Sequence, residues 1–176
     1  MIKTEKVLSH LEATRQDLLS SFRGLTEEEI DYQVSDNSWT IGEVLQHLLL
    51  VERAVLLRSE KLMRGELPSE RSFWNRLRKL PVRWAVYRGV KVKTSKRLDP
   101  RGLNSLAKGE LVRRLSDSRA KLLMFLDNNC DKDLSTYRFP HLLFGALNIY
   151  EWMMFIGYHE ERHRRQIEQI VAKIPH

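Results

Sequence analysis

Only eight Gly and five Pro punctuate the 176 residues, and between them run long stretches free of either breaker. In those stretches apolar residues recur every three or four positions. That rhythm puts one apolar stripe on a helix, whereas strands would need alternation and frequent turn residues. The spacing predicts a first helix over about residues 3–23, with Val7, Leu11, Leu18 and Phe22 on one face and Gly24 at its end. A second helix opens at Thr40, where Thr40 and Glu43 form a capping box, and runs to about Arg64 before Gly65 and Pro68. A third covers about residues 105–129, with Leu111, Leu115, Leu122 and Leu126 as its apolar face. The fourth begins near Asn148, paired with Glu151 as a cap, and ends before Pro175. Four such helices make an all-α four-helix bundle the expected fold, in one domain over residues 1–176. Segment 66–104, between helices two and three, is too long for a plain turn and predicts a crossover with a short helix around Phe73–Leu80. Nothing ahead of the fourth helix reads as alternating strands.

Several classes drop out on composition. Hydrophobic residues at 42% and charged residues at 30% suit a soluble globular protein. No run approaches the roughly 18 apolar residues of a membrane span. The stretch MIKTEKVLSHLEATRQ lacks the apolar centre of a secretory signal. One cysteine, Cys130, excludes an internal disulfide and suits a reducing compartment, so a cytoplasmic location is expected. The net charge of +7 is local: residues 71–101 hold eleven Lys and Arg against one acid, Asp99, a net of +10, and the remainder carries 7 − 10 = −3. Phe73, Trp74, Trp84 and Tyr87 interleave with those charges. Such mixing can bind single-stranded nucleic acid or an anionic small molecule. The simpler reading packs the aromatics on the bundle and leaves the charges solvated, so nucleic acid is not the expected partner.

The informative residues are histidines. The apolar stripe of the fourth helix reads Ile149, Trp152, Ile156, His159, His163, Ile167, Ile170 and Ile174, so two imidazoles occupy core positions. His47 interrupts the apolar run IGEVLQHLLLVERAVLL on the face of Val44, Val51 and Ala54. His47 lies seven residues past Thr40 and His159 eleven past Asn148, depths of roughly 10 and 16 Å at about 1.5 Å per residue. The two helices can therefore bring them together. One buried imidazole is usually satisfied by a neighbour, but three, two of them four residues apart, point to a divalent metal such as zinc or nickel. His10 lies beside its helix's apolar face and reads as solvated. His141 is structural on this reading, about 27 Å from His159 were the segment helical throughout. His176 is terminal.

HEERH, residues 159–163, matches the H-E-x-x-H pattern of zinc proteases. A protease would need a third ligand downstream and a sheet edge to hold peptide, and only thirteen residues follow His163. Glu160 sits in a charge run and, like Glu52, reads as a surface carboxylate, with a proton-handling role as the alternative.

The stretches SWTIGEVLQHLLLVE and FPHLLFGALNIYEWMMFIGYHEERHRRQIEQI resemble the second-helix and last-helix motifs of the DinB-like (DinB/YfiT) superfamily of bacterial proteins. The likeness extends through RLDPRG and the third helix. It implies a bundle of unusual crossover topology and a divalent metal held by three His, which by position are His47, His159 and His163. Many relatives have Pro where Leu142 follows His141 here. Relatives with known activity include bacillithiol S-transferases and mycothiol-dependent isomerases, and others are regarded as metal-dependent hydrolases; homodimers are common among them. The implied function is thus a metal-dependent thiol S-transferase, acting with a low-molecular-weight thiol on a small-molecule substrate. A metal-dependent hydrolase is the alternative, and a non-enzymatic binding protein using the basic crossover a second one. Three imidazoles alone leave coordination positions open, the arrangement of a catalytic metal.

Overall fold

The computed structural model describes residues 2–70 and 95–175. Within them lie helices α1 (Ile2–Phe22), α2 (Glu27–Ile30), α3 (Ile41–Met63), α4 (Lys108–Asp127) and α5 (Ile149–Val171), with strands β1 (Arg138–His141) and β2 (Gly145–Asn148) before α5. The expected short helix at Phe73–Leu80, and the charges and aromatics of the crossover up to residue 94, lie outside the described residues.

Helix starts follow local chemistry. Thr26, Thr40 and Asn148 each accept a backbone N–H three residues on, and Glu29, Glu43 and Glu151 return the bond to the cap's own N–H. Two of these boxes fix where α3 and α5 begin, and so the depth of every residue counted from them. The α4 helix has no side-chain cap at Ala107 and starts three residues later than expected. The polar connection after α1 contains α2, a single turn too short for periodicity to reveal.

The hairpin corrects the expectation of no strands ahead of α5. Arg138 pairs with Asn148 and His141 with Gly145, so a three-residue loop, Leu142 to Phe144, reverses the chain. Gly145 closes it at φ +71°, a left-handed value that costs a residue with a Cβ. Each strand has four residues, too few to show alternation.

Helix α1 packs along α5, with lesser contact to α4, and α3 packs on both α4 and α5. The first two long helices are thus not the neighbours a simple up-down bundle would make them. Gly157 permits the close approach of α1: a Cβ there would fall 2.4 Å from His10 Nε2. The His10 ring, expected in solvent, instead lies against α5, 4.6 Å from the Tyr158 ring.

The core has two apolar clusters. One gathers Leu11, Val55, Leu122, Leu126, Trp152 and Ile156. The other gathers Leu18, Leu45, Leu111, Leu115, Ile167 and Ile170. On each long helix a polar side chain falls between them: Arg15 on α1, His47 and Glu52 on α3, Arg119 on α4, and Glu160 and His163 on α5, all buried. The apolar ends drive assembly, at about 1.5–3 kcal/mol per fully buried large side chain. The polar middle is where function must be sought.

Candidate metal centre

Half of that middle layer is a closed ring of charge. Arg15 donates from Nε to Glu160 Oε1 at 2.7 Å and from Nη2 to Glu52 Oε2 at 2.6 Å. Arg119 donates from Nε to Glu52 Oε1 at 3.1 Å and from Nη2 to Glu160 Oε2 at 2.9 Å. The remaining guanidinium nitrogens donate to the Leu115 and Leu11 carbonyls, and Thr14 donates to Glu160 Oε2 at 2.8 Å. Burial pulls the Arg119 pKa down, but Glu160 and Glu52 more than offset it, and the pKa ends above its ordinary value. Glu52 and Glu160, expected at the surface, are 2% and 1% exposed. Glu160 is therefore committed to two guanidinium groups and belongs to the ring, whatever its protease-like motif suggests.

The other half is the histidine cluster. His47 comes from α3, and His159 and His163 come from successive turns of α5. Their ring centroids lie 5.2 Å apart for His47–His159, 5.0 Å for His47–His163 and 4.5 Å for His159–His163. One nitrogen from each falls within 4.8 Å of the other two. His47 Nδ1 donates to the Leu98 carbonyl at 2.7 Å, which leaves a lone pair on Nε2. His163 Nδ1 donates to Gln166 Oε1 at 2.8 Å, with the same consequence. His163 Nε2 and His159 Nε2 face each other at 3.2 Å.

The donor set fits a metal ion on chemistry and on distance. Two nitrogens bound to one ion at about 2.0–2.1 Å each stand roughly 3.0–3.4 Å apart, which brackets the His159–His163 separation. All three rings are held neutral, as ligation requires. Burial first, then the neighbouring His163 and His47, push His159 well below its ordinary pKa. Burial and His47 lower His163 to about 3. Burial lowers His47 against the opposing pull of the Leu98 carbonyl and Asp99. Trp39, just before α3, walls the cluster at 5.0 Å from His47 and 6.4 Å from His163.

The family profile of the DinB superfamily matches residues 10–167. The chain belongs to the DinB superfamily. Within reach of this superfamily member is YuaE of Bacillus subtilis, an uncharacterised protein, 25% identical over 167 residues, covering 95% of this chain and 98% of YuaE. TT2238, a solved four-helix bundle protein, superposes with a TM-score of 0.60 at 23% identity, covering 94% of this chain and 98% of its own. YfiT from Bacillus subtilis, described as a probable metal-dependent hydrolase with an unusual four-helix bundle topology, superposes with a TM-score of 0.62 at 18% identity, covering 96% and 86%. The two structures share the four-helix fold, in keeping with the expected bundle.

Of the other singled-out residues, Cys130 is exposed beyond the end of α4. His141, expected far from His159, is returned by the hairpin onto α5. No helix among the described residues is long and apolar enough to cross a membrane. The sequence reading missed the two arginines, the Leu98 carbonyl, Gln166 and Trp39. The arginines had a signal: the stripes of α1 and α4 jump seven residues, from Leu11 to Leu18 and from Leu115 to Leu122, and Arg15 and Arg119 fill the gaps.

Proposed function

We propose that His47, His159 and His163 hold one divalent metal ion, zinc or nickel in character, and that the chain is a metal-dependent enzyme acting on a small molecule. The observation that carries this reading is the convergence of three neutral imidazoles, two with their far nitrogens already donating to Leu98 and Gln166. When bound, such an ion lowers the pKa of a thiol or water and polarises an acceptor oxygen. The chain's own residues orient the rings, exclude water with Trp39 and keep the ligands unprotonated.

The thiol transferase is the favoured reaction class. Glu52 and Glu160 both spend their oxygens on two arginines, so neither offers a free carboxylate to orient a water nucleophile. A thiol, with an ordinary pKa near 8.5, needs far less help. Cys130 is remote from the ligands in the fold's sequence order and exposed, so the thiol must come from a low-molecular-weight cofactor. The hydrolase is the second reading, favoured by the description of YfiT. The metal-loaded protein should transfer a bacterial thiol to a chlorinated nitroaromatic or an epoxide, with the rate lost in His159→Ala and kept in Cys130→Ser. Ester or amide hydrolysis without thiol, abolished by His159→Ala and unaccompanied by thiol transfer, would reverse the order.

A further inference from the structure

The four charges of the ring occupy positions that apolar side chains could fill. A buried ion ring is a poor source of stability, because taking charges out of water offsets most of their mutual attraction. Well-packed apolar residues of similar size often do as well or better. Arg15, Glu52, Arg119 and Glu160 are nonetheless all buried, between the two apolar clusters. What such a ring supplies and leucines do not is a fixed register between the helices that carry it.

Its connectivity identifies those helices. Both carboxylates come from the helices that carry the three histidines. Glu52 lies five residues past His47 on α3, and Glu160 lies between His159 and His163 on α5. Both guanidinium groups come from the other two long helices, Arg15 from α1 and Arg119 from α4. Each arginine bridges the same pair of carboxylates. Arg15 spans from Glu52 at 2.6 Å to Glu160 at 2.7 Å, and Arg119 from Glu52 at 3.1 Å to Glu160 at 2.9 Å. The placement of α3 against α5 is thus tied twice. The clamps are themselves anchored, since Arg15 Nη1 donates to the Leu115 carbonyl on α4 and Arg119 Nη1 to the Leu11 carbonyl on α1. Sliding α3 by one residue moves Glu52 by about 1.5 Å, farther than these bonds can stretch.

A three-histidine centre depends on that register at one ligand above all. His159 and His163 stand one turn apart on α5, so a single helix sets their nitrogen separation of 3.2 Å. His47 comes from α3, and its nitrogen lies within 4.8 Å of the others only while α3 keeps its place along α5. Metal–ligand distances tolerate about 0.2 Å. We propose that the charged ring is the positioning device of the metal centre. Arg15 and Arg119 act through Glu52 and Glu160 to hold α3 and α5 in the register that delivers His47 to His159 and His163. This rests on the metal reading above.

Positioning can be separated from stability because the ring is neutral as a unit. Arg15→Met, Glu52→Leu, Arg119→Met and Glu160→Leu, made together, remove two charges of each sign and leave the net charge unchanged. The urea midpoint of this fourfold variant, metal-free, should match the wild type or exceed it. Its cobalt(II) affinity, read by chelator competition on the visible cobalt spectrum, should fall about tenfold, the low end of the loss seen when orienting partners are removed. The loss should run through His47. His47→Ala should cost about tenfold less cobalt affinity in the fourfold variant than in the wild-type background. Gln166→Ala, whose contact with His163 lies within α5, should cost the same in both. Wild-type cobalt affinity in the folded fourfold variant, or an undiminished cost of His47→Ala, would overturn the proposal and leave the ring a stabilising network only. Should the fourfold variant not fold, Arg119→Lys decides: it keeps the charge but lacks the rigid fork that grips both carboxylates, so cobalt binding should weaken about threefold. Unchanged affinity there contradicts the proposal. A wild type that binds no cobalt would instead bring down the metal reading, and this inference with it.

Discussion

The charged ring and the histidine cluster share one layer of the bundle, and adjacent residues of α5, His159 and Glu160, belong to different halves of it. Both interrupt apolar stripes, both are buried, and each draws on α3 and α5. They differ in how their polar atoms are met. In the ring each guanidinium binds two carboxylates and a carbonyl. In the cluster the outer nitrogens of His47 and His163 are satisfied, and the inner nitrogens of His159 and His163 lie 3.2 Å apart. A saturated buried network holds helices in register; three imidazole nitrogens within 4.8 Å of one another form a set that could hold an ion.

Breaking the ring should have the largest effect. Glu160→Ala leaves Arg15 and Arg119 without half of their countercharge, and unpairing a buried ion costs about 3–5 kcal/mol. Urea unfolding of metal-free protein measures it. His163→Ala should cost only about 1 kcal/mol in the same experiment. Equal losses would erase the distinction between a structural half and a functional half.

A smaller effect lies in the cluster's outer bonds. Gln166→Ala frees His163 Nδ1 from its acceptor, and loss of such a partner lowers metal affinity about 10- to 100-fold. Competition with a chelator would read this, while metal-free stability should hold within about 0.5 kcal/mol. A large stability loss with unchanged metal affinity would move Gln166 to the structural side.

The smallest effect concerns pH. The folded-state pKa of His141 is depressed, from an ordinary 6.5 to about 4, by burial. The unfolded chain therefore binds the proton first. The stability tied to neutral His141 is present above about pH 6.5 and is lost as pH falls toward 4. His141→Phe should flatten the wild-type fall in stability across that window. An unaltered slope would show that the ring is more solvated than its contacts with Phe144, Trp152 and Phe155 imply.

Much of this was legible beforehand for stated reasons. Long stripes at helical spacing set the four helices, and capping boxes at Thr40 and Asn148 fixed the starts of α3 and α5 to the residue. The three histidines stood out because each replaces an apolar residue in a stripe. Glu52 and Glu160 were misread because a charge carries no sign of its partner in the sequence, and their shared partner Arg15 lies 37 and 145 residues away. The same holds for Leu98, 51 residues from His47: a backbone carbonyl has no sequence signature. The hairpin escaped because four-residue strands are shorter than a readable period, and with it went the position of His141.

The central claim is that three imidazoles from α3 and α5 hold one ion, and metal content tests it most directly. Elemental analysis of protein purified without added metal should give one divalent ion per chain. Content should fall sharply in His47→Ala, His159→Ala and His163→Ala, each still folded with the ring intact. Full retention of metal in all three variants, or a wild type that takes up no divalent ion even when supplied, would contradict the account.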